Sequence, residues 1–326
     1  MSYFDYEDIT LVPNMCIVDS RTECDTSVQL GKNKFKIPVI PANMECVIDE
    51  ELAVKLAENN YFYIMHRFNI DILYFIKKMK SLSLYSSISI GVNSNSYELI
   101  NTLINDNLIP DYITIDIAHG HSIKMKKILE YIRSHDNFNN TFIIAGNVSS
   151  PDAVRDLNLW GANSVKVGIS PGYSCTTYYT TGFGSRGIQA SIIKECVERN
   201  QGVPIIADGG IRHICDITKS LVMGARMVMI GSMLTGFQES PGNVVTGTDG
   251  KMYQEFYGSA SEHSKDHKGD KKTKNIEGTM KLIPYKNKSI LTYLNEIEEA
   301  LQSSISYGGG KDLSCFENVD FIVKKT

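Results

Sequence analysis

Residues 142–169 read FIIAGNVSSPDAVRDLNLWGANSVKVGI, and the order of patterns inside this stretch decides the fold. An apolar run, FIIAGNV, is followed by a segment of helical period, SPDAVRDLNLWG, and then by a second apolar run, SVKVGI. Ser150 stands at the N-cap position with Pro151 at the first helical residue, and Gly161 falls just past the end, so both boundaries of the helix are written locally. A helix between two strands carries the chain back to the end it left, so the two strands run parallel.

The alternation continues outward in both directions. Eight runs rich in Val, Ile, Tyr and Phe occur at residues 37–44, 61–67, 86–92, 112–118, 142–148, 164–169, 203–210 and 227–232. Segments of helical period separate them, among them DEELAVKLAENN, IDILYFIKKMK and HICDITKSLVMG. Eight strand–helix units predict an α/β fold of the TIM-barrel class, a closed (β/α)8 barrel completed by a last helix in NKSILTYLNEIEEALQSSI. The chain then forms a single domain over residues 1–326, with an N-terminal arm at 1–36 and a mobile flap at about 236–288, between strand eight and the last helix. The flap expectation rests on the polar run KDHKGDKKTK at 265–274, for which a plain solvated lysine run is the alternative.

Barrels of this kind collect their chemistry where strands end and loops begin. The polar residues at those ends are Asn43, His66, Arg67, Asn93, Asp116, Asn147, a loop around Cys175, Asp208 and Ser232. Composition narrows the classes of function. With 42 % hydrophobic and 21 % charged residues the chain is ordinary globular protein, and a formal net charge of -4 argues against a general nucleic-acid binder. No apolar run is long enough to cross a bilayer and the start lacks a signal-peptide pattern, so the expectation is a soluble, cytoplasmic protein without a membrane partner. Seven cysteines at 16, 24, 46, 175, 196, 215 and 315 form no C-x-x-C pair and read as reduced thiols.

Cys175 differs from a buried structural cysteine. It lies in KVGISPGYSCTTYYTTGFGSRG, flanked by Ser174 and Thr176 in a loop bent at Pro171 and Gly172. A thiol at its ordinary pKa is mostly protonated at neutral pH, so a loop of inward-turned backbone groups or a bound cation is what a nucleophilic cysteine requires. Further on, Asp208-Gly209-Gly210 and Gly231-Ser232 end strands seven and eight, where barrels bind phosphate through loop amides; Asp208 is placed to accept from ribose hydroxyls. The plain alternative is that these glycines only make tight turns. Gly182, Gly184 and Gly187 spell G-x-G-x-x-G, but the polar stretch TTYYTT separates them from the preceding strand, so they read as a decoy for a dinucleotide fingerprint. His119 and His121 beside Asp116 lack a second ligand cluster, which sets a metal role aside. Glu277, in NIEGTM, reads from its surroundings alone as a solvated charge at the base of the flap.

Taken together, IPVIPANM, DIAHG, FIIAGNV, KVGISPGYSCTT, GFGSRG, IIADGGIR, MVMIGS, YGSASE, IEG and SSISYGGG resemble, in order and spacing, the inosine-monophosphate dehydrogenase and guanosine-monophosphate reductase superfamily. The chain passes from IMHRF to ISIGV through one helix, without the regulatory insert usual in the dehydrogenases, and residues 259–276 hold neither the arginine nor the tyrosine of their water-activating pair. The resemblance is therefore to the reductase branch, in its bacterial-type form.

That resemblance implies NADPH-dependent reductive deamination of GMP to IMP with release of ammonia, through a covalent bond between Cys175 and purine C2. It implies Thr177 and Glu277 as the proton donors for the leaving amine. GMP would meet Asp208, Gly209, Gly210, Gly231 and Ser232, closed over by Gly258, Ser259 and Ala260. NADPH would meet Ser20, Arg21, Arg67, Asp116, Ile117, Ala118, Ser303, Ser304, Ile305 and Ser306, in part across subunits of a homotetramer. A monovalent cation, potassium, would take the backbone carbonyls of Ser170, Gly172 and Cys175. Ser170 stands where glycine is common in the family, Tyr173 where a phosphate-binding serine is frequent, and Tyr178 where arginine is frequent. The rival readings are an insert-free IMP dehydrogenase, an FMN-dependent barrel oxidoreductase and a silent purine-nucleotide-binding regulator.

Overall fold

The computed structural model describes residues 3–200, 202–258 and 278–324. Its centre is a curled, seven-stranded parallel sheet made of β1 (Val39–Pro41), β2 (Ser87–Ile90), β3 (Tyr112–Asp116), β4 (Phe142–Val148), β5 (Ser164–Val167), β6 (Ile205–Asp208) and β7 (Met227–Ile230), in the order β1-β7-β6-β5-β4-β3-β2. Seven of the eight expected runs are thus ladder strands. The run at 61–67 is represented by one parallel bridge, Met65 to Ile88, on the free edge of β2.

Both faces of this sheet are covered, which is why its strands read as near-continuous apolar runs rather than alternating ones. Outward residues such as Ile113, Ile143, Val165, Ile205 and Val228 pack against the helices in one large core. Inward residues, among them Ile40, Ile144, Ile206, Met227 and Met229, form a second core with Phe62 and Ile64. Side chains alternate along a strand, so in β5 Val165 and Val167 face out and Lys166 faces in.

The arm is not a loose tail. Val28–Leu30 and Asn33–Phe35 form a hairpin whose Val28, Leu30 and Phe35 enter the inner core beside Tyr112 and Met227, the first residues of β3 and β7. The Phe62 ring centre lies 4.9 Å from those of both Phe35 and Tyr112, tilted against the first and edge-on to the second. The hairpin therefore stops the N-terminal end of the sheet. Ile9–Leu11 pairs antiparallel with Phe321–Val323, tying the two ends of the chain together.

The helices follow the strands as their periods predict, except for the short helix in the cysteine loop, which the polar stretch TTYYTT does not announce. They are α1 (Glu50–Glu58), α2 (Ile72–Ser81), α3 (Ser94–Asn105), α4 (Ile123–Arg133), α5 (Pro151–Leu159), the short α6 (Thr177–Thr181), α7 (Gln189–Arg199), α8 (Ile214–Val222) and α9 (Ile290–Tyr307). In α5 the Ser150 hydroxyl accepts from the Ala153 amide at 3.4 Å, the cap read from the sequence. Between β7 and α9 the chain builds a three-stranded antiparallel sheet from β8 (Val244–Thr246), β9 (Met252–Phe256) and β10 (Lys281–Pro284). Ser259, Ala260, Glu277 and the lysine run lie outside the described residues. No helix among the described residues is long and apolar enough to cross a membrane.

Candidate active site

A cavity of about 880 Å³ opens at the C-terminal ends of the parallel strands, opposite the hairpin, and Cys175, Asp208, Asp116, Arg67 and Ser232 all line it. Its floor is a chain of charges and amides. The Lys166 ammonium lies 3.0 Å from Asp116 Oδ1 and 3.0 Å from Asp208 Oδ2. The Asn43 amide donates to Asp116 Oδ2 at 2.9 Å, and the Asn147 amide donates to Asp208 Oδ2 at 2.7 Å. Lys166 is only 2 % exposed, and lysines are buried this deeply only when paired.

Burial pushes the Asp116 carboxyl up, but the Lys166 ammonium and the Asn43 amide outweigh it and hold the group below the ordinary carboxylate range. Burial likewise works against the charge of Lys166. Asp116 and Asp208 overcome it and leave the ammonium above its ordinary range. The buried Lys166 ammonium thus lies between Asp116 and Asp208, whose side chains are partly exposed to the cavity. The sequence reading did not single out Lys166. The available signal was a lysine in the middle of an apolar strand, a position where charge survives only with partners.

Gly168, just beyond β5, has φ +151°, and a Cβ there would fall 2.0 Å from the Asp208 carbonyl oxygen. This glycine lets the cysteine loop leave the sheet flush against β6. Gly209 and Gly210 follow with φ +84° and +81°, folding back onto Pro171 and Gln189. The Cys175 Sγ lies 3.3 Å from Thr177 Oγ1, at the start of α6. Cys175 also forms an isolated antiparallel bridge with Gly278, and the Thr279 amide donates to the Ser174 carbonyl at 2.9 Å. Gly258 also lines the cavity, its Cβ position 3.7 Å from Ser174 Oγ. Asn147 Oδ1 is buried at the cavity wall without a hydrogen-bond partner among the described residues.

Asp116, Ile117 and Ala118 line the same cavity, as does Arg67, whose guanidinium carbon lies 4.6 Å from the Phe68 ring centre. Ser20 and Arg21 lie elsewhere. Arg21 donates to Ser303 Oγ at 3.1 Å and faces the Tyr307 ring, so the arm and the end of α9 do meet, outside this cavity. Ser304 accepts from Thr218 at 2.9 Å, Ser306 lies 3.2 Å from Cys16 Sγ, and the Ile305 side chain is wholly buried in the outer core.

Two set-aside motifs have structural explanations. Gly184, with φ +141°, has its Cβ position 2.5 Å from the Ile169 carbonyl and serves a close chain crossing, whereas the Cβ positions of Gly182 and Gly187 meet no atom within 4 Å and these two supply left-handed turns at φ +75° and +76°. His121 pairs with Asp156 at 2.9 Å, and no group of metal-ligating side chains occurs among the described residues. Of the three carbonyls expected to hold a cation, that of Gly172 already faces two donors, the Cys175 amide at 3.4 Å and the Arg186 guanidinium at 3.4 Å.

Residues 3–326 match the family described as "IMP dehydrogenase / GMP reductase domain". The chain belongs to that family. Within it, the chain is 54 % identical over 326 residues to a protein named GMP reductase from Mesoplasma florum, covering 100 % of this chain and 99 % of the relative. It is 52 % identical over 323 residues to a GMP reductase from Mycoplasma mycoides subsp. mycoides SC, covering 99 % and 98 % of the two chains. A GMP reductase from Bacillus subtilis is 50 % identical over 323 residues, covering 99 % of this chain and 96 % of the relative.

Proposed function

We propose that this protein is a GMP reductase, converting GMP to IMP and ammonia with NADPH. The observation that carries the reading is identity of 50 % or more to GMP reductases over essentially the whole chain, joined to a thiol 3.3 Å from a threonine hydroxyl in the main cavity. We read the fold as a complete eight-stranded barrel in one domain over residues 1–326, with a flap. Phe62 and Ile64 of the run at 61–67 share the inner core with Ile40 of the opposite sheet edge, which supports closure.

In this reading Asp208, Gly209, Gly210, Gly231 and Ser232 hold the ribose and phosphate of GMP, and Gly258, Ser259 and Ala260 close over it. The Cys175 thiolate attacks purine C2. As the C2–S bond forms, the C2–N bond to the 2-amino group breaks, and the amine leaves as ammonia after taking a proton from the Thr177 and Glu277 pair. Gly278, the next residue after Glu277, bridges Cys175, which supports a donor at this place. NADPH, when bound, supplies the hydride that ends at C2 as the C2–S bond breaks to give IMP. The residues fit it. Asp116, Ile117, Ala118 and Arg67 line the cavity beside Cys175, and the buried Asn147 Oδ1 offers a free acceptor in the same wall. Ser20, Arg21, Ser303, Ser304 and Ser306 lie off that cavity, and in this reading they serve a neighbouring subunit of a homotetramer, whereas the wholly buried Ile305 side chain only packs the core. The potassium ion does not fit the carbonyl set as it stands, because the Gly172 oxygen already faces a guanidinium.

One assay tests the activity: purified protein with GMP and NADPH, following loss of NADPH absorbance and release of ammonia. Reduction of NAD with IMP, and none of NADPH with GMP, would instead identify an insert-free IMP dehydrogenase, and a yellow protein a flavin enzyme. Cys175→Ala is expected to lower turnover by at least about 10³-fold while GMP still binds by calorimetry. An active alanine variant sinks the covalent mechanism.

A further inference from the structure

The segment after α6 carries a fixed positive charge back to the cysteine loop. Gly182, left-handed at φ +75°, ends α6 with its amide on the Tyr178 carbonyl at 2.8 Å. The chain then crosses against the exit of β5, where the Ser185 amide donates to the Ile169 carbonyl at 2.8 Å and the Ser185 side chain is buried. Gly184 permits this crossing because any side chain there would meet the same carbonyl. Ser185 is thereby pinned, and the next residue, Arg186, is delivered to the loop. Its Nη1 lies 3.4 Å from the Gly172 carbonyl oxygen, and its Cζ lies 4.8 Å from the centre of the Tyr179 ring. A guanidinium held by an aromatic face and a carbonyl is a cation built into the chain.

Two further residues point the same way. Ser170 has φ +61°, a conformation that favours glycine, and its hydroxyl accepts from the Tyr178 amide at 2.9 Å. That bond ties the loop to α6 through a side chain that glycine lacks. Tyr178 is neutral at the position where the family resemblance leads one to expect arginine. The positive charge absent there is present at Arg186.

We propose that Arg186 takes the place of a monovalent cation in ordering the Pro171–Cys175 loop, so that this protein works and stays folded without potassium. A potassium ion on the Gly172 carbonyl would lie beside the guanidinium and be repelled by it. The kinetic part of the proposal rests on the reductase reading; the part concerning stability does not.

The test compares wild type, Arg186→Gln and Arg186→Lys in potassium, sodium and choline chloride at equal ionic strength. Turnover of GMP and the melting temperature are both measured. Wild type is expected to keep kcat/KM within about twofold and the same Tm in all three salts, because no native-state cation site is filled. Arg186→Gln is expected to lose about tenfold in kcat/KM in choline, the worth of a charge-assisted contact, and to recover with a rise in Tm on adding potassium. Arg186→Lys is expected to stay near wild type. Activation and stabilisation of the wild type by potassium overturns the proposal, as does an Arg186→Gln variant that behaves like wild type in every salt. If no protein turns over GMP in any salt, the reductase reading has failed, and the melting temperatures still decide the cation question.

Discussion

Lys166 holds two carboxylates from different strands, and its removal isolates what the charged floor contributes. In Lys166→Met, Asp116 and Asp208 face each other without a cation between them. Removing one partner from a buried ion pair costs about 3–5 kcal/mol, and that loss is expected in chemical denaturation at neutral pH. The pH dependence follows from the shifts. Asp116 is depressed in the folded protein, so its contribution is present above the ordinary carboxylate value and is lost as pH falls through its folded value. Lys166 is raised, so its contribution is complete below the ordinary lysine value and is lost as pH rises through its folded value. The Asp116–Lys166 pair is therefore insensitive to pH between the ordinary carboxylate and lysine values, about 5 to about 10. Without the lysine, burial is less opposed at Asp116 and its carboxyl takes up a proton more readily, so the variant's deficit should shrink on going from about pH 7 to about pH 5. A deficit unchanged over that interval would mean that lost packing, not charge, is responsible.

At the scale of elements, the loops after β5 and β6 depend on where backbone approaches backbone. Gly168→Ala combines a positive φ with a Cβ 2.0 Å from the Asp208 carbonyl and is expected to destabilise by at least about 2 kcal/mol, with weaker GMP binding because Asp208 is displaced. Gly172→Ala meets no atom within 4 Å and should change stability by no more than about 0.5 kcal/mol. Denaturant midpoints of the two variants check both, and equal midpoints would show that the β5–β6 contact yields freely. These cases also mark what the sequence could carry. The α5 helix was legible because its cap, its proline and its terminal glycine act within one turn of their own positions. The sheet was legible because burial on both faces leaves runs of Val and Ile. The hairpin at 28–35 was not, because its apolar side chains acquire a partner only when the sheet curls and presents the inner core. Cys175 and Asp208 announced themselves through their loops, whereas Lys166 and Arg186 take their meaning from groups on other elements: carboxylates of β3 and β6, and the Gly172 carbonyl.

For the whole molecule, the separation of two residue sets decides how many chains make one working site. Cys175, Asp208 and Asp116 line one cavity, while Arg21 reaches Ser303 and Tyr307 on a different part of the surface. If the arm and the end of α9 complete the cofactor site of a neighbour, a chain lacking the thiol can still lend its arm, and a chain lacking Arg21 can still lend its thiol. Cys175→Ala and Arg21→Ala proteins, each assayed alone at limiting NADPH, should then both be weak. Unfolded together and refolded as mixed assemblies at equal amounts, they should regain about a quarter of wild-type activity, because half the mouths keep Cys175 and half the neighbouring arms keep Arg21. Mixing without exchange of subunits should regain nothing. If the arm serves its own mouth, every chain in the mixture carries one defect in its own site, and activity stays at the average of the two parents. The steady-state rate of the refolded mixture against that average separates the two arrangements.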